Sequence, residues 1–226
     1  MKITYYGHSC YLIESGEHKL LLDPFISANE LAKEVSADNI DCNYMLITHG
    51  HEDHVADAEA IAKRTGAKII SNFEIVNWFQ AKGLSNSHPM NHGGQWKFDF
   101  GTVKYVNAVH SSVLPDGTYG GNPGGFVLEI EGKTLYYAGD TALHMDMKLI
   151  GEFDQPDLAF LPIGDNFTMG VHDAAKAAEF IQCDKIIGMH YATFPYIDID
   201  QEEAKRTFAA HGKELTLMKI NSSVEL

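Results

Sequence analysis

The spacing of apolar and polar positions changes several times along the chain. Residues 2–7 (KITYYG), 9–14 (SCYLIE) and 19–24 (KLLLDP) are short β-rich runs punctuated by Gly or Pro, which predicts three strands at the front. Residues 43–49 (NYMLITH) form a further apolar run that ends in a histidine. Over 53–65 the period becomes helical, with Val55, Ala58, Ile61 and Ala62 on one face, Asp53 at the N-cap position and Gly66 past the last turn. A helix is also expected over 27–36, then a strand at 68–71 and a helix at 73–82. From 94 to 140 strand patterns return in QWKFDF, TVKYVNAVH, GGFVLEIEG and KTLYYAGD, with a hairpin turn at 131–133. The remainder predicts a helix near 144–152, a strand at 158–164, a helix at 172–182, a strand at 185–191, a helix near 201–210 and a last strand at 214–220. β-rich stretches alternating with helices in this way predict an α/β sandwich, sheets inside and helices outside. No repeat or linker divides the chain, so residues 1–226 are expected to form one domain.

Composition narrows the function classes. The formal net charge is −14, and the 17 lysines and arginines are scattered, without the basic run that a phosphate backbone would call for. Nucleic acid is therefore not an expected partner. The three cysteines, Cys10, Cys42 and Cys183, are odd in number and form no CxxC pair, which suits free thiols in a reducing compartment. Cys10 and Cys183 sit in apolar contexts and are read as small core residues. The N-terminus enters a strand at once, and no apolar run approaches the ~20 residues of a membrane span. The expectation is a cytoplasmic protein with no membrane partner, acting on a small molecule, with homo-oligomerisation left open.

The chemistry concentrates in Thr48-His49-Gly50-His51-Glu52-Asp53-His54, between an apolar strand and an amphipathic helix. Gly50 lets the backbone turn tightly, so that His49 and His51 can converge on one ion while Asp53 and His54 point to a neighbouring position. Neutral imidazole and carboxylate are the usual ligands of borderline divalent metals. A polar strand-end loop without ligand function would explain one histidine there, but not four potential ligands in this order. Three further residues stand at strand ends: His110 after TVKYVNAV, Asp140 in YYAGD and His190 in KIIGMH. Each alone is an ordinary cap or surface residue; together they supply the missing ligands.

With those residues in view, the sequence resembles the metallo-β-lactamase-fold superfamily over essentially its whole length. In particular it resembles the small bacterial metal-dependent hydrolases related to ascorbate-6-phosphate lactonases, in GHSCYLIE (7–14), LLDPFIS (21–27), NAVHSS (107–112), YYAGDT (136–141), FTMG (167–170) and MHYATFP (189–195). The resemblance implies a four-layer αββα sandwich with its site at the edge between the sheets. It implies two divalent metals, zinc or manganese foremost with iron or nickel as further options. His49, His51 and His110 would hold the first, Asp53, His54 and His190 the second, and Asp140 would bridge them. It implies hydrolysis of a small ester-like substrate, a lactone or phosphoester foremost, by a metal-bridging hydroxide. No G-x-S-x-G motif offers a serine nucleophile instead.

Asp53 is the expected catalytic residue, orienting the water or taking its proton. Asp23 in LLDP is read either as a carboxylate that orients a ligand imidazole or as a turn residue before Pro24. The resemblance implies that His8 lies beside the site, in contact with substrate, whereas the residues alone read equally as a partly exposed strand-end histidine; Asp165 with Asn166 is expected at a strand end near the pocket. Residues 111–125 form a long Gly-rich loop after His110, expected to cover the metals and to contact substrate through Tyr119 and Asn122. His18, His144 and His211 are read as surface residues, His172 as an exposed first-turn residue, and His88 and His92 are left without a role. Three alternatives stay open: an iron-dependent oxidoreductase on the same fold, a nuclease or phosphodiesterase, and a catalytically silent metal-binding protein.

Overall fold

The computed structural model describes residues 1–226. Strands β1 (Lys2–Gly7), β2 (Cys10–Ser15), β3 (His18–Leu22) and β4 (Tyr44–Leu46) lead to helices α1 (Glu52–Val55) and α2 (Ala58–Thr65). Then come β5 (Lys68–Asn72), α3 (Phe73–Ala81), β6 (Ser87–Met90), β7 (Gln95–Phe98), β8 (Gly101–Asn107), β9 (Gly124–Ile130) and β10 (Lys133–Tyr137). The chain closes with α4 (Met147–Phe153), β11 (Leu158–Pro162), α5 (Val171–Phe180), β12 (Lys185–Met189), α6 (Gln201–Ala210), β13 (Glu214–Thr216) and β14 (Ser223–Glu225). One sheet runs β14-β1-β2-β3-β4-β5-β6 and the other β13-β12-β11-β10-β9-β8-β7.

The layers follow from side-chain alternation. Leu20 and Leu22 of β3, with Tyr44 and Leu46 of β4, face the cluster that includes Phe126, Tyr137 and Phe160 of the other sheet. Leu21 and Met45, one residue out of phase, face a smaller cluster with Ile61 of α2 and Phe79 of α3. Period-2 alternation thus puts one face of the first sheet on the second sheet and the other on helices. α5 and α6 cover the outer face of the second sheet through Ala174, Ala178 and Phe208. The result is the α/β sandwich the sequence pattern predicts, in the αββα layering the family resemblance implies. Each fully buried leucine here contributes roughly 1.5–3 kcal/mol of transfer free energy.

The structure corrects several local expectations. The helix expected over 53–65 is broken into α1 and α2, and Asp57, not Asp53, stands at the N-cap position of the longer piece. Asp57 is buried, and its carboxylate accepts the backbone N–H groups of Ile26 (2.6 Å) and Ser27 (3.0 Å), tying the loop after β3 to the helix. Residues 27–36 are successive turns, not a helix: the Asn29 side chain accepts from the Leu31 N–H, a local bond that competes with helical pairing. β6 and β14 escape sequence detection because they are short edge strands, one of them interrupted by Pro89. The strand expected at 214–220 stops at Thr216, as β13.

Within each sheet, β3 to β6 and β10 to β13 run parallel. β1 and β8, each two antiparallel steps away from these blocks, point the same way. The loops after β1, β3, β4, β8, β10, β11 and β12 therefore leave the carboxyl ends of their strands, where ligands bind in open α/β sheets.

Candidate metal centre

The turn after β4 is fixed from below by one carboxylate. Asp23, fully buried at the end of β3, accepts the Thr48 backbone N–H at 2.8 Å and its hydroxyl at 2.7 Å. It also accepts His54 Nδ1 at 2.8 Å and the Tyr137 hydroxyl at 3.1 Å. Four donors on one buried carboxylate lock the His54 ring so that Nε2 faces away from Asp23. Asp23 itself holds φ +41°, outside the usual range for a side-chain-bearing residue. Of its two sequence readings, the structure places it as the group that orients an imidazole.

Gly50 is needed for a reason other than the one its sequence suggests. Its φ is not in the left-handed region; a Cβ there would lie 3.1 Å from the Leu114 side chain and 3.3 Å from the Val113 backbone. Its N–H donates to Ser112 Oγ at 3.0 Å, and that hydroxyl donates to the Gly120 carbonyl at 2.8 Å. Loop 111–125 is thus a packed buttress: Leu114 is buried among the residues under α2, and the Trp78 indole donates to Asp116 at 2.6 Å.

Seven of the singled-out side chains converge. His49 Nε2 lies 3.0 Å from His51 Nδ1, and the His110 ring centroid lies 5.1 Å and 5.0 Å from theirs. Asp53 Oδ2 lies 3.7 Å from His190 Nε2 and 4.0 Å from His54 Nε2. Asp140 stands between the two groups, with Oδ2 2.9 Å from His190 Nε2, 3.6 Å from His110 Nε2 and 3.9 Å from His49 Nε2. One ligand atom from each of His49, His51 and His110 lies within 4.8 Å of the others; the same holds for His8, Asp53, His54 and His190. His49, His54, Asp140 and His190 are buried, while His51, Asp53 and His110 are half-buried and open the cluster to solvent.

The donor set fits divalent cations. His54 Nε2 and Asp140 Oδ1 are buried and face each other at 3.4 Å, yet neither has a hydrogen-bond partner. Buried polar atoms are almost always paired, so two orphans aimed at one point are what a bound ion would satisfy. Burial disfavours the charge on Asp140, but His190 and His54 outweigh it and hold the carboxyl well below its usual range. Burial likewise opposes ionisation of Asp53, and His54, His190 and His8 outweigh it. Burial pushes His49, His51 and His110 downward, toward the neutral form that ligates. For His54 and His190 the carboxylates overcome burial, Asp140 foremost, and push His190 up to about 9; the same negative field attracts a cation.

His8 lies inside this arrangement. Its Nε2 donates to Asp53 Oδ2 at 3.1 Å, its Nδ1 lies 2.9 Å from Thr193 Oγ, and its ring sits 4.2 Å from that of His190. Burial, with His190 beside it, pushes His8 down to about 4. His8 and His190 both hold φ +55°, and the His190 N–H donates to the His8 carbonyl at 3.0 Å; such strained residues cluster at functional sites.

Other singled-out residues stand elsewhere. Tyr119 and Asn122 are exposed and bond each other at 2.8 Å, outside the cluster. Asp165 accepts the Asn166 N–H at 2.8 Å and lines a separate groove with His172, Asp200 and Glu203. His144 is half-buried with both ring nitrogens unpartnered, not a free surface residue. His18 is also half-buried, its ring 6.2 Å from that of Tyr44. His92 stacks on Tyr105 (5.2 Å) and His88 tilts over Trp96 (4.9 Å), both as packing groups. Sequence reading missed Thr193 and Ser111, whose Oγ is 3.3 Å from His51 Nε2, and the rings of Phe25 and Phe194 against His8. Their only sequence signal is membership of segments that carried the family resemblance.

Two parallel-stranded blocks, a histidine-rich turn after one strand and a single histidine or aspartate after each of three others define a metallohydrolase of the β-lactamase superfamily. The sequence model of the beta-lactamase superfamily domain matches residues 2–190. The chain belongs to that superfamily and, within it, to the UPF0173 metal-dependent hydrolases. A UPF0173 metal-dependent hydrolase of Christiangramia forsetii is 58% identical over 227 residues, covering 100% of both chains. YtkL of Bacillus subtilis, another member, is 47% identical over 89% of this chain and 90% of its own. Among solved structures, Igni18, a metallo hydrolase from the hyperthermophilic archaeon Ignicoccus hospitalis, superposes with a TM-score of 0.89 at 36% identity, covering 99% of this chain and 97% of that one. The protein is a metal-dependent hydrolase.

Proposed function

We propose that the chain binds two divalent metal ions and hydrolyses an ester-like bond in a small molecule, a lactone or a phosphoester. The observation that carries this reading is Asp140, whose two oxygens face His54 on one side and His190, His110 and His49 on the other. His49, His51 and His110 would hold the first ion, Asp53, His54 and His190 the second, and Asp140 both. Imidazole and carboxylate together suit zinc or manganese. Such a pair supplies a water acidified toward neutrality and polarises the scissile oxygen.

The chain's own groups do the rest. Asp23 keeps the His54 ring in one tautomer by accepting Nδ1–H. Asp53 Oδ2, half-exposed at the open side, is placed to accept the proton of the attacking water, and the His8 Nε2–H bond holds that carboxylate in position. Leu114 and Ser112 press the Gly50 turn against the site and keep His49 and His51 from separating.

Elemental mass spectrometry of protein purified without chelator, followed by a screen of lactones and phosphoesters, tests the reading. Two equivalents of zinc or manganese per chain with turnover in that screen are expected. One equivalent of iron would favour an oxidoreductase, and no retained metal after reloading would overturn the ligand assignment.

A further inference from the structure

Charged residues are sorted between the two edges of the sandwich. Lys2, Lys19, Lys68, Lys133 and Lys185 each stand at the first or second residue of β1, β3, β5, β10 and β12, on the edge away from the metal cluster. On the cluster's own edge, residues 7–9, 23–36, 47–51, 108–123, 138–146, 163–170 and 190–200 contain one cation, Lys33, and it pairs with Glu30. The same loops carry Glu34, Asp116, Asp146, Asp165, Asp198 and Asp200.

Aromatic rings occupy the same edge. Phe25 and Phe194 pack on His8 at centroid distances of 5.5 Å and 5.4 Å, and lie 6.2 Å from each other. Beyond them Phe167 and Tyr196 meet edge-on at 6.3 Å while remaining 51% and 74% exposed. Phe25 is buried and Phe194 half-buried, so the accessible surface is made by Phe194, Phe167 and Tyr196; exposed rings beside a cluster of functional groups mark a ligand surface.

We infer that, outside the bond that reacts, the substrate is neutral or cationic and carries an aryl or alkyl group, which seats on the wall formed by Phe194, Phe167 and Tyr196 and backed by the buried Phe25. This rests on the hydrolase reading above and narrows it. The reacting oxygen is served by the metal cluster; a second anionic group, such as a terminal phosphate or carboxylate, would meet loop carboxylates and no free lysine or arginine. Loops that carry one sign of charge around a site favour ligands of the opposite sign and disfavour their own. Aromatic faces hold an apolar group by burial and a cationic one through their quadrupole.

The test uses the metal-loaded full chain and two probe pairs that differ in one charge. The first pair is 4-nitrophenyl butyrate and mono-4-nitrophenyl succinate, followed by hydrolysis. The second is the slowly reacting anilides butyranilide and succinanilate, followed by equilibrium binding in calorimetry or saturation-transfer NMR. The neutral member is expected to bind about tenfold more tightly, the scale of one like-charge contact near a protein surface. The gap should lie in KM rather than kcat and narrow as salt rises. Phe194→Ala, and separately the exposed-rim variant Phe167→Ala, should weaken butyranilide several-fold and succinanilate less. Equal or tighter binding of succinanilate, or no effect of either variant on butyranilide, would overturn the inference. Discrimination between the anilides with neither ester hydrolysed would keep this inference and count against the hydrolytic reading for carboxylic esters.

Discussion

His49, His51, Asp53 and His54 hang from a single turn after β4, whereas His110, Asp140 and His190 come one at a time from the loops after β8, β10 and β12. The first group is organised by neighbours a few ångströms away: Asp23 beneath, Ser112 and Leu114 alongside. The second has no local frame and depends on the register of parallel strands, with Leu135 beside Leu158 and Ala159 beside Ile186. The two halves meet where Gly139 closes on Thr48 and Gly124, and where the Tyr105 hydroxyl and the Gly124 N–H donate to the Thr48 carbonyl at 2.8 Å and 3.2 Å. A compact turn can be stiff on its own account; dispersed ligands are only as well placed as the sheet that carries them.

That contrast can be broken first at the residue both halves share. Asp140→Ala should lower metal content below one equivalent per chain and take hydrolysis to background, measured by elemental analysis and rate on the same sample. His51→Ala or His110→Ala should spare one ion, so equal metal loss in all three variants would remove the bridging role.

Next comes the buttress of the compact half. Asp23→Ala leaves the Thr48 N–H and His54 Nδ1 without a partner in the interior, while the Thr48 hydroxyl keeps His49 Nδ1 and the Tyr137 hydroxyl keeps the Ser9 carbonyl. Unfolding by denaturant should show a loss of about 3 kcal/mol or more. Metal affinity from competition with a chromophoric chelator should fall about 10–100-fold, the usual consequence of losing a group that orients a ligand imidazole. Unchanged affinity would mean that the turn holds its shape without Asp23.

Smaller effects separate the joint from the turn. At Gly139, φ +64°, a Cβ would lie 2.8 Å from the Gly124 carbonyl and 2.9 Å from Thr48 Cβ, with no flexible side chain to move aside. Gly139→Ala should destabilise by about 1–3 kcal/mol and shift Asp140, lowering activity with it. Gly50→Ala meets the movable Leu114 side chain at 3.1 Å, and thermal melts should show a loss nearer 1 kcal/mol. A larger loss at Gly50 than at Gly139 would reverse the account of which half is rigid. Smallest of all, Tyr119→Phe removes a surface bond to Asn122 and should leave kcat/KM within about twofold, the range of an exposed substitution.

Chelation of bound metal checks the whole proposed centre at once. Ligand-bound folds gain stability by mass action, so Tm should fall on chelation and recover on reloading. The recovery should depend on metal concentration in the wild type and be absent in Asp140→Ala.

The sequence by itself determined the sandwich and, through the family resemblance, singled out the residues of the histidine–aspartate cluster. Alternation in β3 and β4 dictates two buried faces, and hence helices on one side and a second sheet on the other. The compact turn was legible because its ligands are adjacent in sequence, and His110, Asp140 and His190 because each follows an apolar strand. Tertiary structure alone decided the rest. Whether Asp23 was a turn residue or an imidazole clamp depended on Thr48, His54 and Tyr137 reaching it from distant positions. The helix expected over 53–65 was split because the loop after β3 claims the Asp57 carboxylate, a contact no local propensity encodes. Tyr119 and Asn122, expected to contact substrate, bond each other on a loop that folds back to press on Gly50, while Phe25 and Phe194 pack on His8 from the loops after β3 and β12. Periodicity reports which face of an element is buried; which loops then meet across two sheets is settled by packing between residues far apart in the chain.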